Sequence, residues 1–361
     1  MTTYAESGVN IEEGDAASRA AYTAAKTTFE GRKGMIGQPV ILDGGFAGML
    51  DFGDFYLVQN DDGVGSKIEI ARLVGDYSTV GYDLLAMVAD DAVCLGAEVV
   101  SITNTVDCTK VDPAAIEQML NGLAAACREQ KVVIPGGEIA EMGSLVNGMV
   151  WNAAAVGVVA KDRVITGKEI KVGDLTIGLP SAGFRSNGFS LVRHVLKKNL
   201  GEEWYNLPYP TEDGDGGDSS GGAHGGGVDH GGKTWGQVAL TPCEIYHDSL
   251  LQLLGRYGAE RKVNIHGIVH ITGGGIPGNI PRVLGDLGID ITNPMPVPDI
   301  CQRVIKMGNI SHEEAHKTWN MGMAMALFVD PSGETAVLEH FNGLGIKAQT
   351  VGVVTGGGLR Y

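Results

Sequence analysis

The run Asp-Asp-Gly-Val-Gly-Ser-Lys at residues 61–67 combines residue types that could bind a nucleotide and a metal ion. Its two adjacent carboxylates suit a hard cation such as Mg²⁺, which prefers oxygen ligands. Its glycines allow a ligand to approach the backbone, and its lysine can meet phosphate oxygens. An apolar stretch just before it predicts a strand over residues 55–60. The run therefore predicts a metal–nucleotide site at the end of a strand, with an acidic surface turn as the alternative.

A predicted helix over residues 79–95 places three carboxylates beside an apolar face. Asp83 and Asp90 are seven residues apart and share one stripe of the helix, whereas Asp91 lies about a quarter-turn from Asp90. Carboxylates in an apolar helix are costly unless a positive partner meets them. A Mg²⁺ ion shared with the acidic pair of the first run is one interpretation, and a solvated helix face is the other.

Two glycines and two carboxylates follow a strand predicted at residues 131–134. Gly136 and Gly137 would end the strand, so that Glu138 and Glu141 reach the edge where clefts of α/β proteins form. A plain turn that carries surface acids is the alternative interpretation.

Two loops in the second half of the chain each join a predicted strand to a predicted helix. Anion-binding sites commonly lie at such junctions. In the first loop, Ser186 or Asn187 is expected to cap a helix over residues 189–198 and leave backbone N–H groups for an anion. Arg185 could clamp a phosphate with two hydrogen bonds, or be an exposed side chain beside a capped loop. In the second loop, three glycines at residues 273–275 suit close approach of a ligand, and Asn279 is expected to cap the helix that follows.

At 361 residues the chain exceeds the usual size of a single hydrophobic core, so two domains are expected, at residues 1–165 and 166–361. Strand-like and helical segments alternate along the chain, which favours an α/β or layered α+β fold. A stretch rich in glycine at residues 212–233 can bury little apolar surface and is expected to be a flexible insert.

The formal net charge of −16 argues against nucleic-acid binding, which usually needs a basic stripe. The five cysteines are odd in number and form no Cys-x-x-Cys pair, a pattern typical of reduced intracellular thiols. The N-terminal residues lack the features of a signal peptide, and no apolar run reaches membrane-spanning length. We therefore expect a cytoplasmic protein without membrane contacts.

Blocks along most of the chain resemble, in family order, the phosphoribosylformylglycinamidine cyclo-ligases, also called aminoimidazole ribonucleotide synthetases. They include Asp-Gly-Val-Gly-Ser-Lys, Gly-Gly-Glu-Ile-Ala-Glu-Met and Ser-Asn-Gly-Phe-Ser-Leu at residues 62–67, 136–142 and 186–191. Others lie at residues 4–11, 44–48, 81–87, 272–275, 279–284 and 319–323. The resemblance implies an N-terminal α/β domain that pairs with a second subunit into a dimeric β-barrel, and a C-terminal α/β domain. It also implies Mg²⁺- and ATP-dependent ring closure of formylglycinamidine ribonucleotide by phosphorylation of the formamide oxygen.

Residue chemistry and the resemblance together give the expected roles. The expected metal ligands are Asp61, Asp62 and Asp91. The expected ATP-binding residues are Asp62, Gly63, Gly65, Ser66, Lys67, Asp83, Asp91, Gly136, Gly137, Glu138 and Glu141. The expected substrate-binding residues are Arg185, Ser186, Asn187, Gly273, Gly274 and Gly275. The expected catalytic residues are Lys67, Glu138, Arg185 and Asn187.

The chain departs from the family pattern at Phe184 and Arg185, which stand where the family usually has proline and histidine. An arginine can bind phosphate but cannot exchange protons near neutral pH. Two alternatives therefore stay open: a phosphoryl-transfer enzyme of the same superfamily with a different acceptor, and a nucleotide-binding paralogue without catalytic activity.

Overall fold

The computed structural model describes residues 11–42, 44–210 and 231–361, which form two six-stranded sheets with helices packed on them. The first block of the family resemblance lies outside the described residues, as does the insert expected at residues 212–233 apart from its last three residues. In the part of the chain that the structure describes, no helix is long and apolar enough to cross a membrane.

The first sheet is antiparallel except at one edge. Its strands are β1 (Gln38–Val40), β2 (Gly48–Asp51), β3 (Phe55–Gly63), β4 (Glu98–Cys108), β5 (Val133–Glu141) and β6 (Met149–Ala160). They lie in the order β1-β2-β3-β6-β4-β5, and only β4 and β5 pair in parallel. Strand β5 is therefore an edge strand, and most of its residues are exposed.

Helices of the first domain cover one face of this sheet. They are α2 (Ile68–Val74), α3 (Val80–Val93) and α4 (Pro113–Gln130), preceded in the chain by an exposed helix α1 (Ile11–Lys26). Asp112 caps α4 by accepting hydrogen bonds from the N–H groups of Ala114 and Ala115. Gly81 lets α3 lie close to α4, since a β-carbon there would meet the Leu123 nitrogen at 2.1 Å. The helix expected at residues 79–95 is confirmed. It is apolar on nearly every side because nearly all of its residues are buried.

The second sheet is mixed in direction and also carries helices. Its strands are β7 (Leu175–Pro180), β8 (Ile265–His270), β9 (Gly288–Ile291), β10 (Met323–Val329), β11 (Gln349–Thr355) and β12 (Leu359–Arg360). They lie in the order β12-β9-β11-β7-β10-β8. Its helices are α5 (Phe189–Leu200), α6 (Trp235–Ala239), α7 (His247–Leu254), α8 (Gly275–Asn279), α9 (Pro281–Leu284), α10 (Asp299–Gly308), α11 (His312–Thr318) and α12 (Glu334–Gly343). The expected alternation of strands and helices is confirmed, and the proposed boundary near residue 165 falls between β6 and β7.

Helix α3 carries two buried ion pairs, one with a cation of its own half of the molecule and one with a cation of the second half, and both pairs contact the second half. The Lys67 ammonium lies 2.8 Å from Asp83 and donates to the Thr241 carbonyl at 2.7 Å. The Arg185 guanidinium lies 2.7 Å from Asp90, and neither side chain of this pair has exposed surface.

The segment over residues 241–246 completes both pairs with backbone donors. Asp83 accepts from the Cys243 N–H at 2.8 Å, and Asp90 accepts from the Tyr246 N–H at 2.9 Å. The two carboxylates of the helix stripe are therefore neutralised by protein cations. The interpretation as a solvated helix face is wrong, and the metal interpretation of this stripe stays a prediction.

We expect Lys67→Met to lower the free energy of unfolding by about 3–5 kcal/mol, because it leaves the Asp83 charge buried without its partner. Urea denaturation measures this. The double variant Lys67→Met/Asp83→Leu should recover much of the loss, because it removes the unpaired charge as well.

Lys317→Met is the matched control, because Lys317 and its partner Glu313 are 51% and 73% exposed. We expect a change of less than about 1 kcal/mol there. A loss no larger for Lys67→Met than for Lys317→Met would contradict the role of the buried pair.

Candidate functional site

Strand β3 extends through the first acidic run and separates its two carboxylates. The strand ends at Gly63 rather than near residue 60, so the expectation that the acids follow the strand is wrong. Neighbouring residues of a strand point to opposite faces. Asp62 shares the face of Asn60, whose side chain donates to the Val88 carbonyl of α3, whereas Asp61 lies on the other face and is exposed. Asp61 and Asp62 therefore cannot face one ion from the same side of the sheet.

Asp62 and Asp91 form a pair of carboxylates at the junction of β3 and α3. Burial raises the pKa of Asp62 to about 6, and the negative charges of Asp91 and Asp61 contribute, although the Gly63 N–H donates to it at 2.7 Å. Burial also raises the pKa of Asp91 to about 7, against the positive charges of Arg282 and Arg185. Two carboxylates with raised pKa values that repel each other are suited to share a cation.

His270 and Arg282 complete the surroundings of Asp91, and the sequence analysis did not assign a role to either. His270 ends β8, and its Nδ1 lies 2.8 Å from the Asp91 carboxylate. Burial lowers the pKa of His270 to about 3, so the imidazole is neutral. Its Nε2 is buried and has no hydrogen-bond partner among the described residues. The signal in the sequence was its position directly after a buried strand and before three glycines.

Arg282 reaches from α9 to a loop of the first domain. Its guanidinium lies 3.8 Å from the ring centre of Phe46 and donates to the Gly45 carbonyl at 2.8 Å. Burial lowers its pKa, and the charge of Asp91 opposes that effect. Arg282 thus supplies positive charge near Asp91 and links the two halves of the molecule.

The triple-glycine loop lies beside this group. Asn279 donates to the carbonyls of Gly273 and Gly275 at 3.1 and 2.8 Å, and so holds the loop from the end of α8. The expectation that Asn279 caps a helix start is wrong, since α8 begins at Gly275. A β-carbon on Gly273 would lie 3.4 Å from the Asn187 side-chain oxygen, which places Asn187 at this loop.

Helix α5 begins at Phe189, where the sequence predicted it, but neither Ser186 nor Asn187 is its cap. Its first flanking residue is Gly188, at φ 71°, and no side chain caps the helix. A β-carbon at Gly188 would lie 2.3 Å from the Trp319 ring nitrogen, so close packing requires glycine here. The expectation that Ser186 or Asn187 caps α5 is therefore wrong.

The loop before α2 meets the loop before α5. Ser66 and Ser190 place their hydroxyl oxygens 3.2 Å apart, and the Ser186 carbonyl oxygen lies 3.3 Å from where a Gly65 β-carbon would stand. The structure thus brings together part of the predicted site. These residues are Asp62, Gly63, Gly65, Ser66, Asp91, Ser186, Asn187, Gly273, Gly274 and Gly275.

Three further expected site residues are enclosed by the ion pairs of α3. Lys67, Asp83 and Arg185 have almost no exposed side-chain surface. Arg185 also donates to the Glu244 carbonyl at 3.1 Å. For Lys67 or Arg185 to hold a phosphate, each would have to leave a buried carboxylate, and their roles toward ligands stay predictions.

The second glycine–acid run lies apart from these residues. Gly136 and Gly137 are inside β5, not at its end, so the expected turn is wrong. Glu138 of β5 lies opposite Thr105 of β4, Thr105 lies opposite Asn152 of β6, and Asn152 lies opposite Gly63 at the end of β3. Glu138 is therefore three strand spacings, or roughly 14 Å, from the end of β3. Glu141 points to the opposite face from Glu138, and accepts from the Val111 N–H at 2.9 Å.

The described residues contain no group of three or more His, Cys, Asp or Glu side chains that could hold a metal by themselves. Mg²⁺ is commonly bound by one or two carboxylates together with the phosphates of a substrate. Asp62 and Asp91 fit that type of site, because a cation would stabilise the charged form of two carboxylates whose pKa values burial raises.

Comparisons with known proteins match both halves of the chain. Residues 44–159 match the family model "AIR synthase related protein, N-terminal domain", and residues 211–360 match its C-terminal domain. The chain is 36% identical to the phosphoribosylformylglycinamidine cyclo-ligase of Thermococcus kodakarensis, over 95% of this chain and 92% of that protein. It is 35% identical to the protein of the same name from Clostridium perfringens, over 99% and 98%.

Solved structures share the fold at lower sequence identity. HypE of E. coli has a TM-score of 0.58 at 15% identity, over 84% of this chain and 81% of its own. PurL of T. maritima complexed with AMPPCP has a TM-score of 0.52 at 14% identity, over 89% and 44%.

Both domains of the family are thus present in order, on two mixed sheets joined through α3. The chain belongs to the phosphoribosylformylglycinamidine cyclo-ligase family of AIR synthase related proteins.

Proposed function

We propose that this protein uses ATP to close the imidazole ring of formylglycinamidine ribonucleotide, giving aminoimidazole ribonucleotide, ADP and phosphate. The observation that carries the proposal is the relationship over nearly the whole chain to relatives named for this reaction. We assign residues 1–165 and 166–361 to its two domains, and the cytoplasmic location expected from the cysteines stays a prediction.

The reaction needs a better leaving group on the substrate. A formamide oxygen leaves poorly, and its phosphorylation by ATP converts it into phosphate, after which a substrate nitrogen closes the ring. Such phosphoryl transfer depends mostly on positioning and charge neutralisation. The arrangement of acidic, cationic and glycine residues at the junction supports this type of catalysis.

Each group at the junction has a defined contribution in this proposal. Asp62 and Asp91 would hold Mg²⁺ with the ATP phosphates, and the ion would neutralise charge on the transferred phosphoryl group. The neutral His270 orients Asp91, in the way that ligand partners commonly fix carboxylates. The glycine loop and Asn187 offer backbone and amide groups to the substrate.

Arg185 does not fit a proton-transfer role. Its side chain is enclosed and paired with Asp90, and a guanidinium stays charged at any pH the enzyme meets. We propose that Arg185 positions the loop that carries Ser186 and Asn187, and that proton transfer is left to other groups.

The assay that tests the function uses purified protein, MgATP and formylglycinamidine ribonucleotide. We expect equimolar ADP and aminoimidazole ribonucleotide. ADP formation only with another acceptor would favour the related phosphoryl-transfer enzymes, and ATP binding without turnover would favour a paralogue without catalytic activity.

We expect Asp62→Asn to lower kcat/KM at least tenfold, because it removes a charged ligand of the proposed cation. Asp61→Asn is the matched control, since Asp61 lies on the other face of β3 and should keep kcat/KM within about twofold. Equal losses in both variants would contradict the assignment.

The raised pKa values also predict a pH effect on the ligand-free protein. The folded state holds protons on Asp62 and Asp91 more tightly than the unfolded state does, so this stabilisation is complete below about pH 4. It is lost as the pH rises through about 6 to 7. At about pH 8, the free energy of unfolding of Asp62→Asn should therefore exceed that of the parent by up to about 2 kcal/mol. The variant should accordingly unfold at a higher urea concentration.

The free energy of unfolding should fall between about pH 5 and pH 8 by more in the parent than in Asp62→Asn. An equal fall in both proteins would contradict the raised pKa values. Saturating MgATP should restore stability at about pH 8 in the parent and much less in the variant.

We also propose a homodimer that closes through the uncovered face and free edge of the first sheet. Val133 and Ile139 of the edge strand β5 are 61% and 42% exposed, and Val150 of β6, two strands in from that edge, is 44% exposed. An exposed edge strand presents unpaired N–H and C=O groups, which a partner strand or face can cover. A dimeric barrel built this way would bring Glu138 to the partner's site, which explains why Glu138 lies far from Asp62 within one chain.

Mixing two inactive variants tests this arrangement. We expect Glu138→Ala and Asp62→Ala to be inactive alone and to regain about a quarter of the activity when co-refolded or co-expressed, because half of the dimers carry one intact site. No recovery despite mixed dimers on native mass spectrometry would contradict a site shared between subunits.

A further inference from the structure

A cavity of 430 Å³ lies between helix α2 of the first domain and helix α5 of the second. Its cationic lining consists of Arg72, Arg193 and Lys197, with His194 beside them. A second cavity of 660 Å³ adjoins it and reaches the loop of Gly65 and Ser66. The two cavities share Glu69, Arg72 and Arg193, so they form one continuous cleft between the domains.

Most charges in this cleft are already paired within the protein. Arg72 donates to both carboxylate oxygens of Glu69, at 2.9 and 2.7 Å. Lys197 lies 2.9 Å from Glu202.

Arg193 differs from its neighbours, because it forms no ion pair with any residue that the structure describes. Its Nε is buried and has no hydrogen-bond partner among those residues. The cleft is therefore left with one uncompensated guanidinium, although the whole chain carries a formal net charge of −16.

A buried N–H of a guanidinium is costly unless an acceptor meets it, and an anion bound in the cleft would supply one to the Arg193 Nε. A guanidinium matches phosphate because it can donate two parallel hydrogen bonds to it. The hydroxyls of Ser66 and Ser190 lie at the same cleft and are suited to the sugar or to the remaining phosphate oxygens. A cleft of this volume is within the range of small-molecule sites.

We propose that Arg193 binds the 5′-phosphate of the ribonucleotide substrate in the cleft between α2 and α5, an inference that rests on the proposed function. The relatives are named for a phosphoribosyl compound, so the substrate class carries such a phosphate. A monophosphate requires no metal. Asp62 and Asp91, which are suited to share a cation with a triphosphate, line neither cavity. Gly65 and Ser66, which the sequence analysis expected to bind ATP, line the second cavity, and this proposal assigns them to the ribonucleotide instead.

The first test is calorimetric titration of ribose 5-phosphate into the full chain, which requires no turnover. We expect binding to the parent, at least tenfold weaker binding to Arg193→Met, intermediate binding to Arg193→Lys, and none for ribose. Lys198→Met is the matched control, because Lys198 is exposed on the same helix and lines neither cavity. Equal binding to parent and Arg193→Met, or no binding to the parent at about 10 mM, would overturn the proposal.

The second test measures kinetics with formylglycinamidine ribonucleotide. Arg193→Met should raise the KM for the ribonucleotide at least tenfold and leave the KM for ATP within about twofold. A rise in the KM for ATP alone would assign the cleft to ATP and overturn the proposal. If no variant or parent turns over but ribose 5-phosphate still binds through Arg193, the proposed function fails while the phosphate site stands.

Discussion

Two carboxylates of helix α3 pair with two buried cations, and the packing of the two halves of the molecule follows from these pairs. Asp83 and Asp90 lie on one stripe of an apolar helix, where an unpaired charge would be too costly to bury. Lys67 and Arg185 meet them from opposite halves of the molecule, and backbone donors of residues 241–246 complete each pair. These contacts fix the second domain against α3, and so determine which loops face each other at the junction.

That arrangement leaves a different balance of charge at the neighbouring end of α3. Asp91 is one residue from the paired Asp90, but its neighbours are a neutral imidazole, an arginine engaged by backbone carbonyls, and the carboxylate of Asp62. Negative charge is therefore compensated where the domains join and only partly compensated where the ligand loops meet. The protein is in this respect organised to accept a cation at one position and not at the other.

Arg185, which stands where the family resemblance leads us to expect histidine, has a structural role in this chain. Arg185 adopts a φ of 56°, a conformation that costs a residue with a side chain roughly 1 kcal/mol. Its charge is balanced by Asp90, and the two side chains are buried together. Arg185 thus makes this loop position part of the domain interface, directly before Ser186 and Asn187.

The sequence predicted the class of fold, the helix that carries the three acids, and the family, because apolar periodicity and the order of the motifs are local properties of the chain. It also indicated Asp62 and Asp91 as neighbours, since residue chemistry and resemblance agreed there. It could not determine the partners of Asp83 and Asp90, because Lys67 and Arg185 lie 16 and 95 residues from them along the chain and meet them only through packing. Nor could it place Glu138, whose distance from the site follows from the order of strands in the sheet, which only the tertiary structure decided.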